Sequence, residues 1–140
     1  MAAGAEDFAM TVRSPAVLAA LLLAAPAAAQ PQPDWSHAAN AEVVLKSFSF
    51  TPATLALRAG VPVRLTIRDA KGGHNFAAPA FFAAARIAPE DRAKVRNGKI
   101  ELDGGEAVTI RLIPAAGSYK LACTHFMHSS FGMKGRIVVQ

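Results

Sequence analysis

The chain has little cysteine and no clustered charge, and each absence excludes a class of protein. Cys123 is the only cysteine among 140 residues, so an intramolecular disulfide cannot form. Lysine and arginine outnumber aspartate and glutamate by 15 to 10, yet they are spread along the chain. Scattered basic charge favours acidic partners and gives no sign of nucleic-acid binding. No internal repeat is present.

The N-terminal segment MTVRSPAVLAALLLAAPAAAQ has the pattern of a secretory signal. Arg13 supplies a positive start, residues 16–25 form an apolar run, and three alanines end it. We expect a signal peptide over residues 1–29, with Met10 as a candidate for the true start. An uncleaved anchor is the weaker alternative, because a membrane span needs about 20 apolar residues. These features predict an exported, periplasmic protein without a stable membrane span.

The rest of the chain reads as a linker followed by one β-rich domain. Residues 30–40 are polar and rich in proline, which predicts a linker, and residues 41–140 form the expected domain. Apolar and polar residues alternate with period 2 in several runs bounded by turn residues. These runs cover residues 42–50, 54–58, 61–68, 106–113, 118–123 and 135–140. About seven short strands at this spacing predict an all-β sandwich.

One segment departs from the strand pattern. Residues 88–98 have Pro89 near their start, Glu90 and Asp91 next, basic residues later, and Gly98 at their end. Proline at the first helical position and charges matched to the helix dipole are typical of a helix. The sequence therefore predicts one short helix here.

The most informative stretch is CTHFMHSSFGM, from Cys123 to Met133. It places His128 five residues after Cys123, and Met133 five residues after His128. A lone cysteine in an oxidising compartment is a liability unless it is buried or coordinated. Thiolate, imidazole and thioether suit copper, and His74, after a glycine turn, can supply a second imidazole. Zinc is the poorer fit, because structural zinc sites prefer four strong nitrogen or sulfur donors.

These residues carry a family resemblance that covers roughly residues 42–140. The pairs His74-Asn75 and Cys123-Thr124, followed by histidine, methionine and Lys-Gly, resemble the cupredoxins, the plastocyanin, azurin and pseudoazurin family of small blue copper proteins. The resemblance implies a Greek-key β-sandwich and one type-1 copper ion. It also implies that the Asn75 backbone N–H donates to the cysteine sulfur, and that the Asn75 side chain ties the two ligand loops together through Thr124.

The resemblance implies a ligand set of His74, Cys123, His128 and Met133. Within the loop, His125 is an alternative to His128, and Met127 is an alternative to Met133. We favour His128 and Met133, because the family's axial methionine stands just before the final strand, as Met133 does here.

The resemblance favours one-electron transfer between redox partners, such as a cytochrome, by a monomer that is not an enzyme. Phe126, Ser129, Ser130 and Phe131 are expected to form a small docking face. The alternative is copper handling, as a chaperone or buffer, for which His125 and Met127 offer surplus donors. Four histidines are too few for a multicopper oxidase, and one cysteine is too few for a dinuclear copper site. A catalytic variant with a non-methionine axial ligand stays a minor alternative.

Overall fold

Ten strands form two sheets in residues 31–127 and 130–140, the part of the chain that the computed structural model describes. The predicted signal peptide lies outside these residues. Those from Gln32 to Gln140 fall into one compact unit. The strands are β1 (Ala39–Lys46), β2 (Ser49–Thr51), β3 (Thr54–Leu57), β4 (Val63–Asp69), β5 (His74–Ala77), β6 (Arg86–Ile87), β7 (Lys99–Leu102), β8 (Ala107–Ile113), β9 (Gly117–Ala122) and β10 (Lys134–Val139).

Each sheet has five strands, and the two sheets make up the predicted β-sandwich, which is confirmed. The first sheet has the order β2-β1-β4-β8-β6, and the second has the order β3-β10-β9-β5-β7. Two pairs, β1 with β4 and β3 with β10, are parallel, and the other pairs are antiparallel. The second sheet positions the predicted ligands. His74 begins β5, Cys123 follows β9 and Met133 precedes β10, and these three strands are neighbours.

The core follows from the alternation of side chains along each strand. In β4, Val63, Leu65 and Ile67 are buried, whereas Arg64 and Arg68 on the other face are exposed. Leu55 and Leu57 in β3 are buried in the same way. Burying one such side chain fully contributes about 1.5–3 kcal/mol. The inward pattern predicted for these two runs is thus confirmed.

The run over residues 42–50 differs from the single strand expected there. It divides into β1 and β2, an antiparallel hairpin whose turn contains Phe48 with a φ of 60°. The turn reverses the chain, so Val43 and Leu45 of β1 and Phe50 of β2 all reach the core. An alternating pattern does not distinguish one long strand from a tight hairpin when the turn residue is not glycine.

Three strands, β5, β6 and β7, were not expected from the sequence. All four residues of β5 are buried, so the strand shows no alternation. β6 has only two residues, and β7 has four. β7 follows a tight turn at Asn97 and Gly98, with φ of 51° and 71°. A Cβ on Gly98 would lie 2.5 Å from Pro79, so both the turn and its packing require glycine.

The helical segments also differ from the prediction. The helix expected over residues 88–98 is a shorter 3-10 helix, Pro89–Lys94. It ends there because the following residues enter the turn before β7. An additional helix, α1 (Pro79–Ala84), begins at a proline and buries Phe81 and Phe82. Its sequence is mainly alanine and phenylalanine, whose burial against the core outweighs the lack of capping side chains.

The chain is ordered somewhat before the boundary expected at residue 41. Trp35–His37 forms a short 3-10 helix, and β1 begins at Ala39. Arg64 donates a hydrogen bond of 2.8 Å to the carbonyl of Trp35. None of the helices in the described residues is long and apolar enough to span a membrane.

Candidate metal centre

His74 begins β5 directly after a turn built on two glycines. Gly72 and Gly73 have φ of 105° and 71°, a backbone conformation that side chains with a Cβ rarely adopt. The turn lets His74 enter the protein, where its side chain is buried. Its Nε2 lies 3.2 Å from the carbonyl oxygen of Lys71. Because a carbonyl only accepts, the contact places an N–H on Nε2 and leaves Nδ1 as the atom able to bind a metal.

Cys123 and Met133 stand at the two ends of one loop. Cys123 follows β9, and Met133 precedes β10, which is antiparallel to β9. The N–H of Cys123 donates to the carbonyl of Met133 over 3.2 Å, so the ends of the loop are held together. Both side chains are fully buried. A thiol and a thioether therefore enter the same end of the sandwich.

His74, Cys123 and Met133 all lie on the core-facing side of the second sheet. Side chains two apart on a strand share a face. His74 is thus on the face of Phe76, Cys123 on that of Leu121, and Met133 on that of Ile137, and these three partners are buried. β5 and β9 are antiparallel with Ala77 opposite Ala122. The chain before Ala77 therefore runs beside the chain after Ala122.

Asn75 connects β5 to the cysteine loop. Its backbone N–H donates to Cys123 Sγ over 3.5 Å. Its Nδ2 donates to Thr124 Oγ1, and its Oδ1 accepts from the backbone N–H of Thr124, both over 2.8 Å. The tie that the family resemblance implied is present.

A carboxylate outside the expected set joins this network. Asn75 Nδ2 also donates to Glu101 Oε1 over 3.0 Å, and Lys99 Nζ lies 2.9 Å from the same oxygen. His125 Nε2 lies 2.9 Å from Glu101 Oε2. Partial burial alone would raise the pKa of Glu101, but hydrogen bonds from Lys99, His125 and Asn75 outweigh it and lower the pKa to about 2.

The sequence missed Glu101 because it missed β7. The run Lys99–Leu102 alternates polar and apolar residues, which is the one local sign of the strand. Nothing in the sequence pairs Glu101 with Asn75, 26 residues away.

The other candidate ligands in the loop are His125, Met127 and His128. His128 lies outside the described residues. His125 is partly exposed and contacts Glu101, and Met127 is exposed with a φ of 64°. Among the described residues, no three His, Cys, Asp or Glu side chains meet as a metal cluster. That part of the chain contributes only His74 and Cys123 from those residue types to the expected ligand set.

The donors present fit copper. They comprise an imidazole with Nδ1 directed by its Nε2 bond, a buried thiol that accepts a backbone N–H, and a buried thioether. A hydrogen bond to sulfur stabilises the thiolate, the form that binds metal. Thiolate and thioether are soft ligands, typical of copper sites.

Exposed apolar side chains lie on the loop between Cys123 and Met133 and on the β1–β2 turn next to it. We call Phe48, Phe126, Met127 and Phe131 the apolar patch. Phe126 is 89% exposed and Phe131 is 60% exposed. The Phe131 ring packs against that of Phe48 at 5.4 Å, and its N–H donates to the carbonyl of Met127. Large exposed aromatics in one group mark an interaction surface.

Comparisons with known proteins bear on the fold and the family of the chain. A search of curated proteins returned no significant match. Among solved structures, the chain is similar to auracyanin B, with 23% identity, a TM-score of 0.55, and coverage of 74% of this chain and 89% of that one. It is also similar to a dithionite-reduced auracyanin from the photosynthetic bacterium Roseiflexus castenholzii, with 20% identity, a TM-score of 0.53, and coverage of 74% and 98%.

A third similar structure is auracyanin A, described as a "blue" copper protein from Chloroflexus aurantiacus, with 21% identity, a TM-score of 0.50, and coverage of 72% and 98%. At these identities the three structures support the fold. The family model for copper binding proteins of the plastocyanin/azurin family matches residues 38–140. The chain therefore belongs to the plastocyanin/azurin family of copper-binding proteins, and the copper ion predicted from its sequence is the cofactor of that family.

Proposed function

We propose that this protein is an exported electron carrier with one type-1 copper ion held by His74, Cys123, His128 and Met133. The observation that carries the proposal is the 3.5 Å contact from the Asn75 N–H to Cys123 Sγ, because it joins the loop of one ligand to the sulfur of another. Copper bound by two imidazoles, a thiolate and a weak thioether cycles between Cu(I) and Cu(II) with little rearrangement of its ligands.

The protein's part is to hold the donors still and keep water away. Cys123 and Met133 are fully buried, and His74 is nearly so. The backbone hydrogen bond between Cys123 and Met133, and the side-chain hydrogen bonds between Asn75 and Thr124, hold both ligand loops to the second sheet. A rigid, dry donor set keeps its geometry when its charge changes, which favours fast electron transfer.

The apolar patch supports brief docking to a redox protein, such as a cytochrome. Its side chains lie on the ligand loop and on the neighbouring β1–β2 turn, so a partner seated there is close to the site. Small interfaces of this type suit transient redox encounters. The net charge of +5 favours an acidic partner. We propose that the carrier acts as a monomer and is not an enzyme.

Export remains part of the proposal and has its own test. Cleavage after Ala29 would leave Gln30 as the first residue of the mature protein. Mass spectrometry of protein isolated from the periplasm of a bacterial host should find that N-terminus. Protein that stays with the membrane at full length would support the uncleaved anchor.

Copper handling is the second candidate. Met127 favours it, because an exposed thioether beside the site can receive Cu(I). The contact between His125 and Glu101 disfavours it, because one of the two surplus donors is already engaged. A copper carrier would bind Cu(I) tightly and release it to a second chelator rapidly, without an intense blue band.

A visible spectrum after addition of one equivalent of Cu(II) distinguishes the two candidates. We expect an intense thiolate-to-copper band that Cys123→Ser and His128→Ala abolish and that His125→Ala keeps. His125→Ala is the matched control, because it removes an imidazole from the same loop. Absence of the band in the unmodified protein, together with tight Cu(I) binding, would refute the electron carrier.

A further inference from the structure

Glu101 and Asn75 are directly opposite each other on neighbouring strands. β5 and β7 are antiparallel, with Asn75 paired to Glu101 and Phe76 paired to Ile100. Phe76 and Ile100 are buried in the core, so Asn75 and Glu101 lie on the opposite, outer face. His74 shares the face of Phe76. A side chain that contacts Glu101 is therefore on the other side of the sheet from His74.

The Glu101 carboxylate holds groups from both ligand loops. Its Oε1 accepts from Asn75 Nδ2 at 3.0 Å, and its Oε2 lies 2.9 Å from His125 Nε2. An ionised carboxylate only accepts, so His125 Nε2 is the donor. Lys99 Nζ, 2.9 Å from Oε1, fixes the carboxylate itself. The carboxylate thus joins the residue after His74 to the residue two places beyond Cys123.

We propose, on the basis of the proposed function, that Glu101 is a positioning residue that holds the His125 ring on the outer face of the sheet, away from the copper ligands. The loop between Cys123 and Met133 carries two imidazoles, and a copper centre of this class takes one of them. A histidine tethered two residues from Cys123 has a high effective concentration at the metal. The contact with Glu101 gives that histidine another partner.

Stability alone does not account for this arrangement. The Glu101 side chain is 52% exposed, and ion pairs this exposed contribute little to folding. The consequence expected from the geometry is a choice between ligands. Without Glu101, the His125 ring loses its hydrogen bond to the carboxylate, Asn75 loses one of its partners, and copper distributes between two donor sets.

The first test uses metal-free protein and NMR of the histidine ring nitrogens. In Glu101→Ala we expect the His125 signals to shift and its ring to become mobile, whereas the His74 signals stay unchanged. Glu42→Ala is the matched control, because Glu42 is also 52% exposed and pairs with Arg68 on the other sheet. Unchanged His125 signals in Glu101→Ala would overturn the proposal, whether or not the protein forms a blue site.

The second test loads the same variants with one equivalent of Cu(II). Electron paramagnetic resonance should show one copper species in the unmodified protein and in Glu42→Ala, and two species in Glu101→Ala with loss of blue-band intensity. Adding His125→Ala to Glu101→Ala should restore one species, because the competing imidazole is gone. Glu101→Gln keeps a hydrogen-bonding group without the charge, and should also retain one species.

Two results would contradict the proposal in the copper-loaded protein. One is a single unchanged species in Glu101→Ala. The other is a blue band that survives His128→Ala and is lost in His125→Ala, because Glu101 would then orient a ligand. Failure of the proposed function is distinguishable, since it appears as an absent band in the unmodified protein while the metal-free NMR result stands by itself.

Discussion

Asn75 and Thr124 are joined by two hydrogen bonds of 2.8 Å. The side-chain Nδ2 of Asn75 donates to Thr124 Oγ1, and the backbone N–H of Thr124 donates to Asn75 Oδ1. Asn75 is fully buried, and a buried amide is costly unless its polar atoms have partners. Thr124 and Glu101 satisfy this one. The hydrogen bonds between Asn75 and Thr124 therefore require the two ligand loops to come together when the chain folds, even before metal binds.

Replacing Asn75 tests that condition in metal-free protein. Asn75→Ala removes three side-chain hydrogen bonds, at about 1 kcal/mol each, so we expect the free energy of unfolding to fall by about 3 kcal/mol. Thr124→Val removes only the bond to the hydroxyl and should cost about 1 kcal/mol. Urea denaturation measures both. The control is Asn40→Ala, at an exposed strand position, for which a loss above about 0.5 kcal/mol is not expected. Equal effects at positions 75 and 40 would contradict the role of Asn75.

A substitution of Met133 distinguishes its role in core packing from its proposed role in metal binding. Met133→Leu conserves volume in a fully buried position, so the metal-free protein should change in stability by less than about 1.5 kcal/mol. The copper-loaded variant should keep its blue band, because the thiolate is unchanged. Its reduction potential should shift, because Met133 is the axial donor of the proposed site and the axial ligand tunes the potential. Voltammetry checks this, with the exposed Met127→Leu as the control. A potential altered by Met127→Leu and not by Met133→Leu would reverse the assignment of the axial ligand.

The sequence predicts the parts of the site that depend on neighbouring residues. His74 with Asn75, and Cys123 with Thr124, are adjacent in the chain, so each pair is visible as a motif. Glu101 is different, because its contact with Asn75 depends on strand pairing across 26 residues. Such pairing follows from the whole sheet and leaves almost no local sign.

The same dependence on contacts between distant residues explains where the predicted elements differ from the observed ones. The runs that became β3 and β4 were predicted correctly because one face of each is buried and the other is exposed. β5 has no exposed face, so its four residues give no period. α1 was missed because Phe81 and Phe82 are stabilised by packing against distant residues, as in the contact of the Phe81 ring with Tyr119.

The apolar patch should affect the rate of electron exchange and leave the site unchanged. Phe126→Ala and Phe131→Ala remove exposed rings, and the loss of one such anchor costs about 1 kcal/mol, or about fivefold in rate. NMR of mixed oxidised and reduced protein measures the self-exchange rate. Val61→Ala is the control, because Val61 precedes β4 whereas the turn that holds His74 follows β4. An equal decrease in all three variants, or an altered visible spectrum, would exclude a docking role for the patch.

Asp91 should make the free energy of unfolding of the domain depend on pH in the acid range, independently of the metal site. Its carboxylate, only 4% exposed, accepts from Lys94 Nζ at 2.6 Å and from Arg111 Nε at 2.8 Å. Burial would raise its pKa, but the bonds from Arg111 and Lys94 outweigh burial and lower the pKa from 3.8 to about 2. Because the folded protein holds the proton less tightly than the unfolded chain, the stabilisation is complete above about pH 4 and is lost as the pH falls towards 2.

The lowered pKa corresponds to about 2 kcal/mol at neutral pH, which Asp91→Asn should remove. We therefore expect urea denaturation of the metal-free variant to show less stability at pH 7 and a flatter decline between about pH 4 and 2. Glu90→Gln is the matched control, because Glu90 is next in the chain and pairs with the same Arg111, but it is 68% exposed and lies 3.4 Å away. An exposed pair of that kind contributes less than about 1 kcal/mol. A full acid dependence in Asp91→Asn would assign it to other carboxylates.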